Sequence, residues 1–464
     1  MTGPTDRTAV LSVTVCILLL SCLASSQKVS GPLVAGQIET YLKPLVESGN
    51  FSGAMLVARR GRVLFRRGYG MANYELLVPN SPETRFHIAS VSKPFTALAI
   101  LQLQEQGKLS VGDPVSRFVP NFPNGERITL EHLLTHTSGI PNVNDLPDYD
   151  TFARSPHALE ELVAKFANLP LDFQPGADYR YSNSNYNLLA LILEKVSGER
   201  YGDYLQRHIL EPAGMRNTGH DGDAQRMIMM SASGYEPAGV ASYENAPYLD
   251  WSNKTGNGSL YSTLDDLYRF DRALNTDLLL KKSTRDKYFV EGKGNRFGWF
   301  QRKRNGHRVM SSNGRSPGFT AQLDRFPDED ATVIVLSNSY ATVSQDPIAQ
   351  AIGAIVLGDE PEKPPVLSAA AIPPAKLAIY AGQYQYGPDY FVPNAKFTLT
   401  VEPGSLLLEL GNFRTPLVPV SDREFVDRSF LARVMFSADT KGEVESMKYI
   451  YAGKEFVAKR KEGK

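Results

Sequence analysis

Ser90 and Lys93 stand three residues apart in the run HIASVSKPF, which begins at His87. Positions three apart share a helix face, so the lysine amine there reaches the serine hydroxyl. Pro94 is tolerated in a first helical turn, where its missing N–H has no intrahelical partner. The spacing predicts a helix that begins close to Ser90 and runs through FTALAILQLQEQ to Gly107. Its residues are apolar nearly all round, as in a buried central helix. A serine at that N-terminus meets free N–H groups and the positive end of the dipole, which favour a developing oxyanion. A lysine in so dry a site can lose its proton and act as a base. Alone, the spacing is weak: Ser25 and Lys28 repeat it.

Tyr181-Ser182-Asn183 forms a second cluster, inside QPGADYRYSNSNYNLLALILEKVSG. Polar loop residues run there into an apolar helix that Gly198 ends. A tyrosine near ammonium charges loses its proton more easily and serves as a general base. An asparagine both donates and accepts, so it can orient the lysine and hold a substrate carbonyl. The same residues also suit a plain turn and N-cap. His132 and His136 have helical spacing but lack the glutamate of a zinc-protease motif. His307 falls on a predicted strand and reads as packing or surface. We read no Gly-x-Ser-x-Gly elbow, which disfavours a Ser-His-Asp triad. No phosphate-binding glycine loop is read, and neither metal nor cofactor is expected.

The elements around these residues follow from periodicity. Leu33 to Leu45 places Val34, Ile38, Tyr41, Leu42 and Leu45 on one helical face. SGAMLVAR and RVLFRRGYG read as a hairpin turning at Arg60-Gly61. Helical signals dominate from about 90 to 215. Strands return in FGWFQRK, HRVMSSN, FTAQLDRF and ATVIVLSN, and a last helix, Asp346 to Leu357, stops at Gly358. Strands at both ends with helices between predict an α/β (α+β) fold with one antiparallel sheet closed by the two chain ends. Residues 359–376 hold five prolines and read as a linker. Beyond them, alternating runs predict a small all-β barrel or sandwich over 377–464.

The 464 residues allow two or three domains, with 42% hydrophobic and 22% charged residues, a globular mix. Fifty basic and fifty acidic side chains leave no net charge, which argues against nucleic acid as a partner. Both cysteines, Cys16 and Cys22, lie in an apolar stretch from Ala9 to Ala24 that suits a signal peptide over residues 1–26. Export is therefore expected, periplasmic or secreted, and the mature chain would hold no cysteine. Leu19-Leu20-Ser21-Cys22 resembles a bacterial lipoprotein box, which would make Cys22 a lipid anchor. Asn50, Asn253 and Asn257 begin glycosylation sequons that would matter only in a eukaryotic host.

From about 37 to 357 the chain resembles the serine β-lactamase-related hydrolases of the class C β-lactamase, D-Ala-D-Ala carboxypeptidase and penicillin-binding-protein type. RFHIASVSKPFTALAILQLQEQGKLSVGDPV is similar to their first block, ITLEHLLTHTSGIP to their loop block and YRYSNSNYNLLALILEKVSG to their second. GNGSLYSTLDDLYRF and GRSPGFTAQLDRFPD match two later ones. The resemblance implies a β-lactamase/transpeptidase-like sheet flanked by helices, occupying residues 27–358. It makes Ser90 an acylated nucleophile, Lys93 its base partner, Tyr181 the second acid or base, and Asn183 the substrate-orienting amide.

The family's third motif, Lys-Thr-Gly or His-x-Gly, falls by the same resemblance on Ser312-Asn313-Gly314, counted back from Pro317-Gly318-Phe319. The usual cation is missing. Arg315 could replace it as an anion binder, and its backbone N–H would supply half an oxyanion hole. Lys254-Thr255-Gly256 has the motif's letters but lies too far upstream. The substrate that the resemblance implies is an amide or ester, small molecule or peptide: a cell-wall peptide, a D-amino-acid peptide, a β-lactam or a small ester. The alternative is a non-hydrolytic penicillin-binding or sensor protein that has kept the fold.

Overall fold

The computed structural model describes residues 31–339, 345–364, 368–411, 413–440, 442–451 and 453–461. The Ala9–Ala24 stretch, with Cys16 and Cys22, lies outside the described residues, and with it the expected signal peptide and lipid anchor. Helix α1 (Gly31–Glu47) buries Val34, Ile38, Leu42 and Leu45 at helical spacing. Strands β1 (Gly53–Arg59) and β2 (Arg62–Tyr69) pair as a hairpin. Its turn, Arg60-Gly61, has φ of 53° and 72°, the left-handed pair that a two-residue hairpin loop requires.

Helices α2 (Lys93–Glu105), α3 (Asn183–Ser197) and α4 (Leu264–Leu274) come next among the elements that build the site. Strands β3 (Asn295–Arg296), β4 (Trp299–Arg304), β5 (His307–Ser316), β6 (Phe319–Phe326) and β7 (Ala331–Ser337) then precede helix α5 (Gln345–Leu357). The seven strands lie in the order β3-β4-β5-β6-β7-β1-β2. β1 and β7 pair antiparallel, from Gly53 with Ser337 to Arg59 with Ala331, so the two ends of this unit do close the sheet.

Alternation along β1 serves two cores. Met55 and Val57 pack with α1 and α5, while Ala54, Leu56 and Ala58 face the helices that carry the chemistry. α2 crosses the middle of that second core. Every residue from Lys93 to Leu101 is buried, and Phe95 stacks 4.0 Å from Phe270 of α4. Asn50, Asn253 and Asn257 are all buried, so none of the three sequons is an acceptor in the folded chain.

The C-terminal unit is a closed barrel, as the alternating runs predict. Its strands are β8 (Gly382–Tyr386), β9 (Lys396–Glu402), β10 (Ser405–Leu410), β11 (Phe413–Pro419), β12 (Glu424–Asp427), β13 (Arg433–Ala438), β14 (Val444–Tyr451) and β15 (Lys454–Arg460). β15 returns to pair with β8, which leaves no edge. The stretch read as a linker needs one correction. Ile372 and Leu377 are buried in the barrel core and Pro374–Ala378 is helical, so the barrel unit begins before residue 377. A short helix opened by prolines looks like linker in sequence.

Arg428 fastens the barrel to the first unit. Its Nη1 donates to the carbonyls of Ala238, Gly239 and Ser242 at 2.9, 3.1 and 2.9 Å, and its Nη2 to Gly49 at 3.1 Å. None of these partners is a carboxylate, and burial lowers the guanidinium below its usual range. Arg428→Ala would remove these hydrogen bonds from part-buried carbonyls, a loss of roughly 0.5–1.5 kcal/mol for each bond. A stability loss of about 3 kcal/mol is expected in urea titration. An unchanged midpoint would contradict this account.

Candidate active site

Ser90 sits on a turn held from two sides. Phe86–His87 pairs with Leu260–Ser262, Ile88 donates its N–H to the Leu260 carbonyl at 2.9 Å, and the Leu260 N–H donates to Ser92 Oγ at 3.1 Å. Ala89 is then forced to φ 45°, a region an L-residue with a side chain rarely occupies. Strain of this kind gathers where surrounding structure over-determines a reactive group. A 3₁₀ turn, Ala89–Ser92, leads into α2 with Pro94 in its first turn, close to the start expected from sequence.

The predicted groups converge. Lys93 Nζ lies 2.9 Å from Ser90 Oγ, 2.8 Å from Asn183 Oδ1 and 2.9 Å from the Asn257 carbonyl. Tyr181 donates its hydroxyl to Ser90 Oγ at 3.0 Å. Among the described residues no carboxylate bonds Lys93, and burial holds its amine well below the usual lysine range, with the charge of Lys254 acting in the same direction. The faces of Tyr181 and Tyr186, 4.9 and 5.5 Å away, oppose this by about 0.5–2 kcal/mol each. Lys93 Nζ donates to Asn183 Oδ1 and to the Asn257 carbonyl, and an amine that has lost its proton would turn a lone pair on the Ser90 hydroxyl.

Tyr181 behaves differently from the expectation. Burial raises its phenol above the usual tyrosine range, which outweighs its bond to Ser90. In this arrangement it donates to Ser90 Oγ. His136 stacks 4.4 Å from Tyr181 and accepts the Ser182 N–H on Nδ1 at 3.1 Å, a bond that fixes the entry to α3. Asn183 orients Lys93 as expected. Its Nδ2 donates to Asn144 Oδ1 at 2.7 Å, so a substrate carbonyl would have to displace that bond.

Ser312, Asn313, Gly314 and Arg315 all lie on β5. β4 pairs with β5 only as far as Ser311, whereas β6 follows it to Ser316. Gly314 comes so close to the nucleophile that a Cβ there would stand 2.2 Å from the Ile88 carbonyl and 2.8 Å from Ser90 N. Ser312 shares that face by alternation. It is buried and its hydroxyl has no partner. Arg315 turns the other way: its guanidinium lies 5.4 Å from the Phe430 ring of the barrel. Only its backbone remains at the site, so its side chain does not replace the missing cation. Gly314-Arg315-Ser316-Pro317-Gly318 does spell Gly-x-Ser-x-Gly, a match passed over above. It forms a strand-to-strand hairpin rather than an elbow before a helix.

The Beta-lactamase family model matches residues 38–356. This chain belongs to the Beta-lactamase family. Penicillin-binding protein 4* of Bacillus subtilis is 32% identical over 429 residues, spanning 86% of this chain and 93% of its own. The putative penicillin-binding protein PbpX of the same organism is 36% identical over 305 residues, 65% of this chain and 72% of that one. An octameric penicillin-binding protein homologue from Pyrococcus abyssi superposes with TM-score 0.63 at 25% identity, covering 91% and 99% of the two chains. A D-amino acid amidase from Ochrobactrum anthropi shares the fold at TM-score 0.63 and 21% identity, over 70% and 98%. The resemblance read from the five sequence blocks is borne out.

Two groups near Ser90 of this Beta-lactamase-family protein fall outside the motifs read from the sequence. One is the Asn257 carbonyl, which receives Lys93. The other is Lys254, set aside above as too far upstream. It is off the sheet, at the end of the Trp251–Lys254 turn, but only 6% exposed, with its Nζ 5.0 Å from the Tyr149 ring. A second cation near Lys93 helps to keep it neutral. Lys254→Met should therefore move the acid limb of kcat/KM to higher pH, while Lys254→Arg keeps it in place. Coincident profiles would remove Lys254 from the account. His132 caps its own helix through Thr129, and His307 pairs with Glu329 and Asp359, so both have structural partners.

Proposed function

We propose that the protein is an exported serine hydrolase that cleaves an amide or ester through an acyl-enzyme on Ser90. The observation that carries this reading is Ser90 Oγ between Lys93 Nζ at 2.9 Å and Tyr181 OH at 3.0 Å, with Lys93 buried and unpaired by any carboxylate. Ser90 Oγ attacks the carbonyl carbon as its proton passes to Lys93. The backbone N–H groups of Ser90 and Arg315 hold the oxyanion. Lys93 returns the proton to the leaving nitrogen or oxygen, with Tyr181 as the bridging donor. Water then adds to the acyl-enzyme as its proton passes to Lys93, and Lys93 returns that proton to Ser90 Oγ as the acyl–Oγ bond breaks and the acid leaves. The Ala9–Ala24 stretch supports export.

Ser312 favours substrates without a terminal carboxylate, because it offers a hydroxyl where an ammonium would bind one. The same replacement, and relatives named as penicillin-binding proteins, favour a second reading: a protein that acylates but does not turn over. Intact mass after exposure to benzylpenicillin or a short-chain aryl ester separates the two, with phenol release followed in parallel. A transient Ser90 adduct with continuing phenol release is expected. A lasting adduct would favour the binding protein, and a signal that survives Ser90→Ala would overturn both.

A further inference from the structure

Past Arg315, the hairpin of β5 and β6 closes one side of a cavity of about 290 Å³. Asp221, Asp250, Tyr248, Trp251, Phe319 and Arg226 are among its lining residues. Asp250 is 3% exposed. Its Oδ1 accepts the Ser252 N–H at 3.0 Å, while Oδ2 is buried with no partner. A buried carboxylate oxygen left unpaired is costly, so a cationic N–H donor is the partner it favours.

The second carboxylate is held without a counter-charge. His87 Nε2 lies 2.8 Å from Asp221 Oδ2, and the imidazole is stacked 3.8 Å from Trp251 with Phe319 edge-on at 5.0 Å. Burial lowers the His87 pKa, and Nδ1 has no partner. The ring is therefore neutral, with its proton on Nε2 toward Asp221. Two anionic side chains then line the cavity against one cation, the exposed Arg226. Trp251, Tyr248 and Phe319 add π-faces, which also attract a cation.

Trp251 and Phe319 of the lining pack on His87, on the chain segment that leads to Ser90. His87 precedes Ser90 by three residues, so their Cα atoms are at most about 11 Å apart. A leaving group must face Lys93 and Tyr181 to gain its proton. Pro317, two residues past Arg315, also lines the cavity, so an acyl group whose carbonyl oxygen sat between Ser90 and Arg315 could extend along β5 toward it. We propose that this cavity binds a protonated amine on the acyl side of the substrate, so that amino-acyl or short peptidyl units are preferred. The proposal rests on the Ser90 acyl-enzyme reading above.

Two measurements test it. The first compares a phenylalanyl aryl ester having a free amine with its N-acetyl counterpart, for both enantiomers, on the full chain. The free amine is expected to be preferred by about tenfold or more in kcat/KM, and Asp250→Asn to cut that ratio about tenfold. A wild-type preference for the N-acetyl ester, or an unchanged ratio in Asp250→Asn, overturns the proposal. The second uses calorimetry of phenylalaninamide on Ser90→Ala, where no acylation occurs. Binding that Asp250→Asn weakens about tenfold is expected, with the N-acetyl amide binding no better than to that variant. Equal binding of the two amides to Ser90→Ala overturns it, even if the hydrolase reading has failed.

Discussion

Replacing Lys93 by arginine is expected to abolish acylation as completely as replacing it by methionine. A guanidinium keeps the positive charge but cannot be deprotonated in a protein, so it cannot take the Ser90 proton. If Lys93 served as a fixed charge, arginine would retain much of the rate. If it serves as a neutral base, both variants lose it. General-base catalysis contributes about 10²–10⁴-fold, and a fall of at least about 10³ in the aryl-ester burst rate is expected for both. The wild-type profile should carry the same signature. Burial holds the Lys93 pKa well below the usual lysine value, so kcat/KM should climb as pH rises through that lowered pKa and then level off. An arginine variant within about tenfold of wild type would show that the proton goes elsewhere.

How much of this was visible in sequence depends on what each inference needed. α2 was legible because a local spacing and an unbroken apolar run agree, and the pair Ser90–Lys93 follows from helix geometry alone. The third motif was located through Pro317-Gly318-Phe319, and β5 carries it as expected. The protonation of Tyr181 was misjudged because the sequence shows charged neighbours but not burial, and burial decides the direction. Lys254 was set aside on chain position, although the turn Trp251–Lys254 folds back beside the nucleophile. The φ of Ala89 has no signal in sequence, since nothing local demands it; the pairing of Phe86–His87 with Leu260–Ser262 imposes it. In the barrel, β11 leaves a poor strand signal because Pro416 and Pro419 lie within it, and proline cannot donate to a ladder. β8 leaves a weak one because Tyr384 and Tyr386 alternate with polar glutamines, although the strand buries both tyrosines.

Gly314→Ala tests the other half of the chemistry. The added Cβ would meet the Ile88 carbonyl at 2.2 Å, Ser90 N at 2.8 Å and Val91 N at 3.0 Å. All three are backbone atoms, so no flexible side chain can yield, and β5 must retreat from the nucleophile. The Arg315 N–H retreats with it. Loss of one oxyanion donor costs about 10²–10³ in kcat, and a displacement near 1 Å costs about 10². A fall in kcat of about 10² is therefore expected from single-turnover kinetics, with KM little changed. The pH profile distinguishes this from damage to the base. Gly314→Ala leaves Lys93 buried on α2 with its partners Asn183 on α3 and Asn257 in place, so the acid limb keeps its position while the plateau drops. Lys93 variants lose the limb itself. If Gly314→Ala stays within about threefold of wild type, the oxyanion is not held between Ser90 and β5. If it shifts the limb instead, β5 acts through the charge of Lys93, and proton transfer and oxyanion binding are not separate functions of this site.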